Sequence, residues 1–291
     1  MTETLFSYFK HQWEEKRGAG IGHTRQLWDE RALEWERGVE EEGVMKRVTA
    51  VRISAAVRFL TSRGCLTGDQ DAIDIGCGPG RFVAEFAKTA RWVTGTDLST
   101  RMVEFGAAYC RKNGLENVTF TPCDFKEISV AEMGWEKRFD LVYSSMTPAM
   151  SAFSSLEKMI AMSRGYCCNS CCILSRSTME EELRKALGEE SVRPAWDGKW
   201  FYSLLNLVWL MGYFPYTDYY PIEYTDRREL TLDSVRESLR RLYRGTQLEE
   251  WQVEQGYEHL MALSDNGVFV ERCSNWYGAV LWDTRIRTER W

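Results

Sequence analysis

Three carboxylates and a cluster of glycines carry the chemistry legible in this sequence. Asp74-Ile75-Gly76-Cys77-Gly78-Pro79-Gly80 closes a short apolar run and opens a segment with helical spacing. Glycines at such a turn let the backbone come close to a ligand, and the free amides at a helix start favour a negative group such as a carboxylate. The spacing is G-x-G-x-G, not the G-x-G-x-x-G of dinucleotide sites. Asp97 lies 17 residues beyond Gly80, directly after a second apolar run and before Leu98-Ser99. A carboxylate in that place accepts hydrogen bonds from both hydroxyls of a ribose. Asp124, in Thr121-Pro122-Cys123-Asp124-Phe125, is placed to accept from an exocyclic adenine amine with Phe125 beside it. The three together describe a nucleoside with an anionic end. Each also has a plainer reading: Asp74 as an acid bracing the glycine loop, Asp97 as a helix N-cap, Asp124 as a turn residue.

The elements that must hold these residues alternate in type. A charged helical stretch runs from Trp28 to about Leu60 and is followed by strands at 72–75, 92–96, 118–121, 139–144 and 171–174, with helices near 81–87, 100–113 and 154–164. Strands alternating with helices at this spacing predict an α/β fold with a parallel sheet covered on both faces. After Ser175 the rhythm breaks. Residues 178–263 read as a mainly helical insertion between strands five and six, and Gly267–Val270 with Tyr277–Trp282 read as a closing antiparallel hairpin. The predicted organisation is an N-terminal helical cap (1–65), a cofactor-binding core (66–177 plus 264–291) and an inserted substrate cap (178–263).

With these motifs in this order, the sequence resembles the class I S-adenosylmethionine-dependent methyltransferases, over roughly residues 66–175. The resemblance implies a Rossmann-like seven-stranded sheet of order 3-2-1-4-5-7-6 with the last strand antiparallel, and S-adenosyl-L-methionine as cofactor. It assigns Asp74, Gly76, Cys77 and Gly78 to the first motif, Asp97 and Leu98 to the ribose motif, and Asp124 and Phe125 to the adenine position. Met102 resembles the residue that packs on adenine, and reads equally well as core. Phe139–Ser144 matches the strand that passes beside the sulfonium, with Ser144 at its end. The following Ser145-Met146-Thr147-Pro148 departs from the Asn/Asp-Pro-Pro-aromatic of enzymes that methylate amide or exocyclic nitrogen. Tyr143, Ser145 and Thr147 are candidates to line the reaction site, or to satisfy local backbone. None of His11, His23 and His259 falls in a catalytic motif, and no catalytic residue is assigned.

Composition bounds the partners. A net charge of -6 gives no general attraction to phosphate backbones, which argues against nucleic acid. The longest apolar stretch, Leu204–Phe214, is shorter than the roughly 20 residues that cross a bilayer, and the N-terminal segment lacks a signal pattern, so a cytoplasmic location is expected. Nine cysteines scattered through predicted elements read as free thiols. Cys168-x-x-Cys171 has the spacing of half a zinc site but lacks the other half, so no metal is expected. The aromatics from Trp196 to Tyr220, Trp200 and Tyr202 among them, are the candidate substrate wall, with an ordinary helical core as the rival reading. Trp28, Arg31 and Trp35 either cap the cofactor crevice or form a core stripe. The favoured acceptor is a small, planar or apolar molecule. The alternatives are an RNA or protein methyltransferase, with a basic face at Arg227, Arg228, Arg236, Arg240, Arg241 and Arg244, and a non-catalytic cofactor-binding protein.

Overall fold

A computed structural model describes residues 2–14, 24–40, 43–189, 196–243 and 247–289. The seven main strands are β1 (Asp71–Ile75), β2 (Trp92–Asp97), β3 (Val118–Pro122), β4 (Phe139–Ser145), β5 (Ser163–Ser177), β6 (Tyr216–Glu229) and β7 (Val268–Asp283). They lie in the order 3-2-1-4-5-7-6, and the two-residue strand Trp196–Asp197 pairs beside β5. β1 to β5 are parallel, and β7 runs antiparallel between β5 and β6. The whole of β1 is buried, which explains its unbroken apolar run around Asp74. One face is covered by α1 (Thr2–Glu14), α6 (Phe153–Met162) and α8 (Lys199–Leu210), which pack on Ile73, Ile75, Val142 and Trp282. The other is covered by α3 (Val44–Ser62) and α4 (Arg81–Ala87), which pack on Ala72, Leu141, Tyr143 and Leu281. Among the described residues no helix is long and apolar enough to cross a membrane.

The topology is the expected one, but two of its strands are not where the sequence put them. The closing hairpin does not form: Val268–Asp283 is one continuous strand paired on both sides, and the sixth strand is Tyr216–Glu229, inside the segment read as an insertion. The supposed turn Glu271–Trp276 continues the inward-outward alternation of Val268–Val270, and Tyr277–Asp283 beyond it is buried throughout. Its buried polar members are satisfied laterally, Glu271 by the Ser177 hydroxyl at 2.5 Å and Asn275 by the Ser175 hydroxyl at 2.7 Å. β6 escaped notice because an edge strand rich in Tyr, Asp and Arg, with Pro221 in it, lacks an apolar alternation.

Ser170 of β5 pairs with Ser145, the last residue of β4, so residues 171–177 run on past the end of β4. At the usual strand rise this overhang is roughly 20 Å. β5, β6 and β7 thus form a three-stranded wing beyond the carboxyl ends of the central strands. On its tip α7 (Thr178–Ala186), α9 (Leu232–Leu242) and α10 (Glu250–Ala262) enclose a separate small core of Leu183, Val235, Leu239, Leu260 and Phe269.

Candidate functional site

The glycine loop is stitched to the neighbouring strand. Gly76 and Cys77 donate their amides to the Thr96 carbonyl of β2 at 2.7 and 2.9 Å. Gly76 takes a φ of 69°, and a Cβ on it would run into the Thr147 hydroxyl, so the position accepts only glycine. Thr147 reaches it because the chain turns sharply after β4 at Met146, whose φ is 54°. That left-handed conformation costs a non-glycine residue about 1–3 kcal/mol and persists only where its surroundings enforce it. Here the Met146 amide donates to the Ser170 carbonyl and its thioether accepts from the Cys172 amide, both at 3.0 Å.

Asp97 joins loop to strand. One carboxylate oxygen accepts from the Gly78 amide at 3.0 Å and the other from the Ser99 amide at 2.9 Å. Burial raises its proton affinity, and these amides with that of Leu98 oppose the rise. Asp74 is almost wholly buried; desolvation, then the charge of Asp97, push its carboxyl well above the usual range, while Arg52 pulls it down. Ser99 caps α5 (Thr100–Lys112) by accepting from the Met102 amide at 3.1 Å and donates to Asp29 of α2 (Arg25–Glu40) at 2.5 Å. Further along α2, Glu36 pairs with Arg81 at 3.1 Å, and Arg81 lies over the Tyr109 ring. α2 therefore spans from the start of α5 to the start of α4, along the rim above the loop. Trp28, Arg31 and Trp35 cluster on that helix, with Arg31 over the Trp28 ring and the two tryptophans edge to face.

The remaining expected positions are less uniform. Asp124 accepts from the Lys126 amide at 3.1 Å in a turn beyond β3. Phe125 and Met102 are buried, Phe125 in the core on the α1 face of the sheet. The Ser144 hydroxyl is fully buried and accepts from the Asn169 amide group at 2.7 Å. Tyr143 does not line a site: it packs against the rings of Phe82 and Phe86, and burial holds its hydroxyl well above its usual pKa. Ser145 does lie at the strand end, accepting from Arg52 at 2.7 Å and sharing a hydrogen bond with Ser170 at 3.1 Å. The aromatic wall is corrected as well. Trp200 is core, stacked on Trp13 at 4.1 Å, and Tyr202 is at the surface; of that run, Tyr220 stacks on Tyr277, whose ring lies against Arg52. Cys168 and Cys171 end in opposite cores, and His259 pairs with Glu182 at 2.8 Å. His23, Arg244 and the side chain of Trp196 lie outside the described residues. Asp29, Arg52 and Tyr277 carried no local signal in the sequence.

A family model described as a methyltransferase domain matches residues 72–164, which span the glycine loop, Asp97 and Asp124. Residues 72–164, about a third of the chain, thus match a methyltransferase domain. Over 97 residues the chain is 33% identical to the 23S rRNA (uracil(1939)-C(5))-methyltransferase RlmD of Aeromonas hydrophila, covering 33% of this chain and 21% of that protein. The same enzyme of Alcanivorax borkumensis is 34% identical over 73 residues, 25% of this chain and 16% of its own length. The chain thus spans about a fifth of the curated relatives it matches. Magnesium protoporphyrin IX methyltransferase from Synechocystis, solved with bound S-adenosylhomocysteine, superposes with a TM-score of 0.51 at 16% identity, over 88% of this chain and 97% of that one. Its complex with S-adenosylmethionine gives 0.51 at 14%, over 91% and 99%. At such identity the likeness is one of fold.

Proposed function

We propose that this chain is a methyltransferase that moves the methyl group of S-adenosylmethionine to a small-molecule acceptor. One observation carries the reading: the glycine loop, Asp97 and Asp124 meet at the carboxyl ends of β1, β2 and β3, where open α/β sheets bind ligands. The fit is good, since two partly or wholly buried carboxylates, Asp74 and Asp97, suit a ligand carrying positive charge. Asp97 would hold the ribose, Asp124 the adenine amine, and the first-turn amides of α4 the anionic end. When bound, the cofactor supplies a methyl group already activated by its sulfonium, for direct displacement by the acceptor.

What remains for the protein is positioning, which supplies roughly 7–11 kcal/mol of a barrier when two reactants are held in attack geometry. Tyr143, kept protonated by burial, is not a general base. Strand β6 and helices α7, α9 and α10 are the part of the 178–263 segment suited to cap the acceptor, because they lie beyond the strand ends; α8 instead packs on the sheet face. A small acceptor is favoured over RNA by the state of the arginine run. Arg228 pairs with Glu271 at 3.0 Å, Arg236 with Glu250 at 2.9 Å and Arg241 with Glu237 at 3.7 Å, so carboxylates answer three of the six arginines and reduce the charge open to phosphates. Incubation with labelled S-adenosylmethionine and a fractionated extract tests this, with label expected in the small-molecule fraction. Label in RNA would replace the acceptor class, and cofactor binding with no labelled product would leave a binding protein.

A further inference from the structure

Several inward-lying arginines of the molecule have carboxylate partners: Arg81 is 3.1 Å from Glu36, Arg184 is 2.6 Å from Glu189 and Arg236 is 2.9 Å from Glu250. Arg52 is half-buried, yet among the described residues no carboxylate lies within ion-pair distance of it. Its one hydrogen bond there goes to Ser145, and its buried Nε has no partner. The guanidinium sits between two rings, 5.6 Å from the centroid of Phe82 and 5.5 Å from that of Tyr277. Aromatic faces hold the planar cation in place without neutralising it. Asp74 feels this charge from beyond ion-pair distance, which leaves the guanidinium open to a second, directly bonded anion.

We infer that Arg52 anchors a carboxylate of the methyl acceptor, so that the substrates are small carboxylic acids; this rests on the methyltransferase reading above. The fork of a guanidinium matches the two oxygens of a carboxylate, which suits Arg52 to this class. Position assigns it to the acceptor rather than to the cofactor. Besides Phe82 of α4, its contacts are Ser145 and Tyr277, which belong to β4 and to the wing, and Ser145 leads on to Ser170 of β5. The anionic end of the cofactor has the amides of the first turn of α4, which no helical carbonyl takes up. Beside Arg52, Tyr277 and Tyr220 are stacked with centroids 5.7 Å apart, and Ile222 and Met146 complete an apolar patch fit for the body of a planar acid.

The test is calorimetric titration of a panel of small carboxylic acids, each against its neutral amide, into protein loaded with S-adenosylhomocysteine and into free protein. At least one acid should bind about ten- to a hundredfold more tightly than its amide, as expected for a hydrogen bond to a charged group. Arg52→Gln should abolish that preference and Arg52→Lys should keep part of it, both with S-adenosylhomocysteine affinity unchanged. The inference is overturned if no acid beats its amide, or if the preference survives in Arg52→Gln while the melting temperature falls, the mark of a purely structural arginine. It is overturned equally if Arg52→Gln weakens S-adenosylhomocysteine but not 5′-methylthioadenosine, which lacks the carboxylate. Failure of the methyltransferase reading would show separately, as wild-type protein that binds neither cofactor form, and the titration of free protein still reads Arg52.

Discussion

Asp97 holds the glycine loop through Gly78 and the start of α5 through Ser99, and it is proposed to hold a ribose as well. Asp97→Ala removes the charged acceptor from all of these. We expect a folded variant whose affinity for S-adenosylhomocysteine falls about ten- to a hundredfold; unchanged affinity by calorimetry would refute the ribose role. This much of the site was legible because the loop and Asp97 lie within one βαβ step, where chain spacing fixes geometry. Arg52 and Ser145 are 93 residues apart and meet only through the fold. Nothing in the charged helix around Arg52 marks it apart from Arg47 or Arg58. The thiols give a second test at this scale. All cysteines but Cys123 are buried, and desolvation lifts Cys110 to about 11 and Cys65 to about 12. Since the thiolate is the reactive form, Ellman's reagent at pH 8 should modify at most Cys123 quickly, and all nine thiols after unfolding. Several thiols reacting at once in native protein would contradict the packing of β5.

Among the elements, α8 shows how composition misleads where periodicity would not. Its aromatic density suggested a substrate wall, yet Trp200, Phe201, Leu204, Leu207 and Val208 recur on one helical face and are buried against the sheet with α1. The parallel half of the sheet was readable because its strands are short apolar runs ended by turns. β6 and β7 were not, since Glu271 and Asn275, buried in mid-strand, are satisfied by partners on β5 and β6. Trp200→Ala should therefore act on stability. Truncating a buried tryptophan costs about 3–5 kcal/mol, and the parallel ring of Trp13 loses its partner. Urea unfolding should show that loss with S-adenosylhomocysteine affinity retained in the folded fraction, whereas exposed Tyr202→Ala should change stability by less than about 0.5 kcal/mol. An unaltered midpoint for Trp200→Ala would mean that α8 does not sit on the sheet.

Across the whole molecule, the two ends of the sheet carry charge in opposite ways. At the carboxyl ends Asp74 and Asp97 are desolvated with raised proton affinity, and Arg52 has no carboxylate partner among the described residues. At the amino ends every charge in the cluster is answered. Asp71 is bound by Arg91 at 2.7 Å, by Arg138 and by Arg164 at 3.5 Å, and Asp140 accepts from Arg164 and from the Asp71 amide. The cluster ties the approaches to β1, β2, β4 and β5, so it serves stability, and its acid response has a definite sign. The Arg91 hydrogen bond, with help from Arg138, holds the Asp71 carboxyl below its ordinary 3.8, and Arg164 does the same for Asp140. A group with a depressed folded pKa contributes stability above its unfolded pKa and loses it as pH falls through the folded value. Wild-type stability should accordingly drop below about pH 4. Asp71→Asn should cost about 1.5–3 kcal/mol at pH 7, towards the lower figure because the arginine ends are in solvent, and the difference should shrink as the pH approaches 2. Cofactor affinity of the folded variant at pH 7 should be unaffected, since the cluster lies at the opposite end of β1 from the glycine loop. Urea midpoints across that pH range decide it: a gap between wild type and Asp71→Asn that stays constant, or widens in acid, would remove the cluster as the source of acid sensitivity.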